Sequence, residues 1–91
     1  MNIQNSSTGT VSWFCFNQLD ASKVIALGSG DLTSGQSYSY LPPDNMNGYY
    51  GVRFTMQGGG DELAEGSVSK NGGIVLVEGT GGAGTYTTQV T

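Results

Sequence analysis

The sequence predicts a single all-β domain, residues 1–91, built as an antiparallel two-sheet β-sandwich of about seven or eight short strands. Three observations lead there. No stretch of helical length repeats its apolar residues with a period of 3.6. Glycine supplies 16 of the 91 residues and gathers in clusters between short runs of Val, Ile, Tyr, Phe and Thr. The segment Gly48-Tyr49-Tyr50-Gly51-Val52-Arg53-Phe54-Thr55-Met56-Gln57 alternates. Its Tyr50, Val52, Phe54 and Met56 point to one side and read as core. Its Tyr49, Gly51, Arg53, Thr55 and Gln57 point to the other, where they are expected to form a shallow, flat, polar surface.

The elements run in chain order. A first strand is expected over residues 2–6, with a turn at Ser7-Thr8-Gly9. Residues 10–17 form a second, with Val11, Trp13 and Cys15 on one face and Phe14 and Phe16 on the other. Two apolar faces indicate a central strand covered on each side, or one that presents an aromatic face to a second subunit. Residues 18–23 read as a polar connection and 24–27 as a short third strand, with a turn at Gly28-Ser29-Gly30-Asp31. Ser37-Tyr38-Ser39-Tyr40-Leu41 alternates as a fourth strand with both tyrosines on one face. Pro42-Pro43 stops it, because neither residue has an N–H to donate.

The alternating segment described first is the fifth strand. Asp61-Glu62-Leu63-Ala64-Glu65 suits one helical turn with Asp61 as its N-cap. Residues 67–70 and 73–78 read as a hairpin across Asn71-Gly72, the pair favoured in type I′ turns. Ile74 and Leu76 face one way there, Val75 and Val77 the other. A last strand covers residues 85–91, with Tyr86, Thr88 and Val90 on one side.

Charge and composition exclude several functions. Lys and Arg number 3 against 7 Asp and Glu, for a net charge of −4. Nucleic acid binding needs a basic stripe to displace phosphate counterions, and three scattered cations do not make one. No apolar run is long enough to span a bilayer, and no basic-then-apolar leader opens the sequence. Met1 as a native start implies a cytoplasmic protein, or one that leaves the cell by an unconventional route. One cysteine, Cys15, allows no internal disulfide and reads as a small buried hydrophobe, with an intermolecular bridge or a reactive thiol as the alternative. Asn5-Ser6-Ser7 matches a glycosylation sequon, which has no meaning without secretion.

The absence of histidine removes the commonest general base and the commonest metal ligand. Cys15 has no imidazole partner, no serine triad is available, and zinc is implausible. No cofactor or metal is expected, and the chain reads as a non-enzyme. The carboxylates Asp31, Asp44, Asp61, Glu62, Glu65 and Glu78 sit at turns and strand ends, the ordinary places for solvated charge. The run 74–84 imitates a strand entering a glycine-rich nucleotide loop. Such a loop requires a helix after it, and residues 85–91 are too short and too β-prone to form one.

Side-chain type favours a sugar. A pyranose offers an apolar C–H face and a fringe of hydroxyls, so it suits an aromatic ring bordered by amides and carboxylates. Tyr49 is the exposed ring on the fifth strand. Asp44, Asn45 and Asn47 in the preceding loop are its polar neighbours, and Arg53 is a donor two pleats away. The competing reading is a plain loop and a surface pair.

Taken together, the Asn5-x-Ser7 opening, Val11-Ser12-Trp13-Phe14-Cys15-Phe16, residues 32–43 (LTSGQSYSYLPP) and Gly48-Tyr49-Tyr50-Gly51-Val52-Arg53-Phe54 resemble a small mushroom fruiting-body lectin of the α-galactosyl-binding type. The resemblance lies in the overall character of most of the chain. It implies a fungal, non-catalytic protein that binds glycans ending in galactose on glycoproteins or glycolipids. It also implies a defence role and a homodimer, since agglutination needs at least two sites per particle. A membrane-active or protein-binding β-sandwich, such as a small cytolysin or an enzyme inhibitor, is the alternative.

Overall fold

A computed structural model describes residues 1–43, 47–79 and 85–91. Eight strands form two four-stranded sheets, and the described residues include no helix. The strands are β1 (Asn2–Asn5), β2 (Val11–Asp20), β3 (Lys23–Leu32), β4 (Ser37–Ser39), β5 (Tyr49–Met56), β6 (Glu62–Val68), β7 (Gly73–Glu78) and β8 (Tyr86–Val90). One sheet runs β4-β1-β7-β8 and the other β3-β2-β5-β6. Every pairing is antiparallel except β1 with β7, which run parallel with Ile3 beside Ile74.

The core lies between the sheets. Ile3, Ile74 and Leu76 enter it from the first sheet, and Val11, Trp13, Cys15, Leu32, Val52 and Phe54 from the second. The alternation of β5 is as expected, with Tyr50, Val52 and Phe54 buried, although Met56 at the strand's end is exposed. Tyr38 and Tyr40 share a face and both meet the Trp13 ring, at 5.5 and 5.6 Å between centroids. Gly28 and Gly30 on β3 make room for them, since a Cβ at either would press on Tyr40 or Trp13 respectively. Asn5 is fully buried, so the sequon asparagine is closed to modification. Its Nδ2 donates to the carbonyls of Gly9 (2.7 Å) and Leu32 (3.0 Å), and its Oδ1 accepts from the Ser7 N–H (2.9 Å). These bonds pin the first turn to the end of β3.

Four local expectations are corrected. Residues 62–65 are strand, not a helical turn, because Arg53 pairs with Glu65 and Phe54 with Ala64 across β5 and β6. Residues 67–70 and 73–78 are not a hairpin, because β6 belongs to one sheet and β7 to the other. The turn there is closed by the Gly72 N–H donating to the Ser69 carbonyl at 3.0 Å, which centres it on Lys70-Asn71. Strand β2 continues through Asp20, and the 18–23 connection shrinks to a tight turn whose Asp20 carboxylate accepts from the Ser22 N–H at 2.7 Å. Strand β3 runs on to Leu32 through the residues read as a turn.

Candidate functional site

The site is on the outward face of the β3-β2-β5-β6 sheet. Cross-strand register fixes who meets whom, because paired residues in a sheet point to the same side. Phe14 stands between Ser29 on β3 and Arg53 on β5, with Glu65 beyond on β6. One row further, Asp31, Ser12, Thr55 and Glu62 align in the same way. In the other direction lie Ala26, Phe16, Gly51 and Ser67.

Phe16 faces outward yet is only 2% exposed. Its ring lies across Gly51, where any Cβ would overlap it. Phe14 stacks beside it at 5.9 Å, and the Arg53 guanidinium carbon sits 5.5 Å from its centroid. The surface expected to be flat and polar around Gly51 is therefore filled by an aromatic ring, which covers this face of the central strand from within the chain.

Arg53 is held from the other side by two carboxylates. Its Nε lies 3.0 Å from Glu62 Oε1 and 2.9 Å from Glu65 Oε2. The hydrogen bond to Glu65 is the main cause of a pKa above the usual guanidinium value. At the opposite wall, Ser12 Oγ donates to Asp31 Oδ1 at 2.6 Å and accepts the Gly58 N–H at 3.1 Å. Gly58 and Gly59 have φ of 85° and 81°, a left-handed turn that glycine enters without a Cβ penalty.

Between these walls is an open groove of about 560 Å³. Ser12, Phe14, Ser29, Asp31, Arg53 and Thr55 line it, and Gly58-Gly59 closes one end. It combines an apolar ring with hydroxyls, a carboxylate and a guanidinium whose charge is already balanced.

The residues named from the sequence divide. Arg53 lines the groove. Tyr49 is 47% exposed on the same face of β5, with its hydroxyl donating to Gln18 Oε1. Arg53 lies four positions along the strand from it, roughly 13 Å at the usual rise per residue, so the two do not form one cluster. Asn47 is exposed near Tyr49, before Gly48. Asp44 and Asn45 lie outside the described residues.

No family model, curated protein or solved structure matches this chain. The functional reading therefore stands on the groove itself. Sequence reasoning missed Ser12, Phe14, Asp31 and Gly58 as site members. The alternation of β2 did place Ser12 and Phe14 on one face, but nothing in the sequence revealed that β5 would bring Arg53 beside them.

Among the described residues, no three of the Asp, Glu and Cys side chains gather to hold a metal ion. Among the same residues, no helix is long and apolar enough to cross a membrane.

Proposed function

We propose that the chain is a non-catalytic glycan-binding protein and that the groove over Phe14 takes a neutral terminal sugar, with galactose the first candidate. The observation that carries this is the pairing of the partly exposed Phe14 ring with polar groups on both sides. The ring suits the C–H face of a pyranose, and Asp31, Ser12, Ser29 and Thr55 suit its hydroxyls. The balanced charge of Arg53 supports a neutral ligand. With Glu62 and Glu65 against it and Asp31 opposite, the groove has no spare positive charge for an acidic one.

Tyr49 and Gln18 lie farther along the same face, where a second sugar unit of a longer glycan would reach, and the exposed Asn47 is two residues before Tyr49 in the chain. The ligands are glycans of glycoproteins or glycolipids, and a homodimer supplies the multivalency.

The test is retention on a galactose matrix. Phe14→Ala and Asp31→Asn are expected to lose retention with an unchanged circular-dichroism spectrum. Tyr49→Ala and Asn47→Ala are expected to weaken retention of an oligosaccharide more than that of the monosaccharide. Full retention by both groove variants would reject the groove, and failure of the unaltered protein on every neutral glycan would reject the class.

A further inference from the structure

We infer that the open edge of β3 pairs with the same edge of a second copy, giving a two-fold dimer with one continuous eight-stranded sheet. The two sheets have four edge strands, and they are treated unequally. β6 and β8 cover each other: Thr88 Oγ1 donates to the Glu65 carbonyl at 3.4 Å, and Thr88 and Val90 fill the space above Gly66. β4 is three residues long. β3 is ten residues long and, among the described residues, has no strand on its outer side. Val24 and Ile25 on it are exposed, as is Leu19 on the adjoining end of β2. A long apolar edge of this kind is a template for another strand.

The occupant is a second copy because the strand complements itself. The charged residues of Lys23–Leu32 are Lys23 near one end and Asp31 near the other. Antiparallel pairing about the strand's middle brings the Lys23 end of each copy to the Asp31 end of its partner. The irregularity in β3 at Leu27, where Ala26 pairs with Phe16 and Gly28 with Cys15, keeps this register in phase. Inward-facing Ile25 then meets inward-facing Gly30, and Leu27 meets Gly28. Large side chains fall opposite glycines at both places. The seven residues between the two charges are uncharged, so two molecules of net charge −4 meet where their repulsion is least.

Such a dimer has a functional consequence that rests on the glycan reading. A two-fold axis that joins two strands antiparallel stands perpendicular to the sheet. Both outward faces then point the same way, and both grooves address one surface. The pair suits a glycan-covered surface and gains avidity there.

Sedimentation equilibrium without sugar tests the pairing separately from glycan binding. The chain is expected to reach twice its 9.4 kDa mass, with a dissociation constant on the order of 10 μM for an interface this small. Ile25→Lys, at an exposed position, is expected to raise that constant at least about tenfold, because inward-pointing lysine blocks edges. Amide exchange along β3 is expected to slow with protein concentration. A monomer at all concentrations up to about 500 μM would overturn the proposal. So would a dimer untouched by Ile25→Lys, or exchange protection that grows elsewhere than on β3.

Discussion

Phe16→Ala removes the ring that lies between Gly51 and Arg53. The ring faces out of the sandwich, so strand alternation alone gives it little weight. Its 2% exposure says otherwise. A buried Phe→Ala costs about 3–5 kcal/mol in a closed core. The cover here is a glycine backbone, a guanidinium and one neighbouring ring, so the lower end applies, about 3 kcal/mol. That amount is about a fifth or more of a domain's stability, given totals of about 5–15 kcal/mol. The melting temperature should fall by about 12 °C or more.

Urea unfolding tracked by Trp13 fluorescence measures the change directly. Gly51→Ala supplies the partner variant, since its Cβ must displace the same ring. Its cost is expected to shrink in the Phe16→Ala background, a coupling that a double-mutant cycle reads. Phe14→Ala, at a half-buried position, is expected to cost about 1 kcal/mol. A Phe16→Ala loss below about 1 kcal/mol, or no coupling to Gly51, would refute the stacked arrangement of Phe16 on Gly51 beside Arg53.

Other consequences are equally direct. Cys15 is buried and its thiol is pushed up to about 11 by desolvation, so iodoacetamide at pH 8 should label it only as fast as the chain opens; rapid labelling in native buffer would contradict its place in the core. Gly48 has a φ of 87° and its missing Cβ would strike the Gln18 carbonyl, so Gly48→Ala should cost at least about 2 kcal/mol. Gly35, with a φ of 81° but nothing within 4 Å, should lose only about 1 kcal/mol, and equal costs at the two sites would be wrong for this structure. Ser22 holds Asp20 below its ordinary 3.8, and Thr8 holds Glu78 below its ordinary 4.5. Their contribution is complete above those ordinary values and is lost as pH falls through the lower folded ones. Thermal stability should hardly vary from about pH 5 to 8, where no histidine titrates, and should fall below about pH 4; a rise on acidification would oppose the two hydrogen bonds.

Much of the fold was legible because alternation survives along β2 and β5. Trp13, Cys15, Tyr50, Val52 and Phe54 are buried as the pattern requires. Legibility failed where a strand carries an extra residue. In β6 the register shifts between Phe54 and Thr55, so Glu62 and Glu65 both reach Arg53 although they are three apart. A spacing of three on one face imitates a helix. In β3 the shift at Leu27 ends the alternation early and makes ten residues look like four. The Asn71-Gly72 pair signalled a tight hairpin, but β7 pairs with β1 and β8, across a separation no local turn rule sees.

The site was less legible than the fold for a related reason. Arg53 and Tyr49 were identifiable as outward residues of one strand. The groove needs three strands in register, and that register comes from long-range pairing. Asp31 read as turn chemistry because β3 was read as ending before it.

Amide chemical-shift mapping with added galactose tests the central claim most directly. Saturable shifts clustered on Ser12, Phe14, Asp31, Arg53, Gly58 and Gly59 are expected. Shifts confined to the far side of the sandwich, or none with galactose and other neutral sugars at saturating concentration, would contradict a sugar site over Phe14.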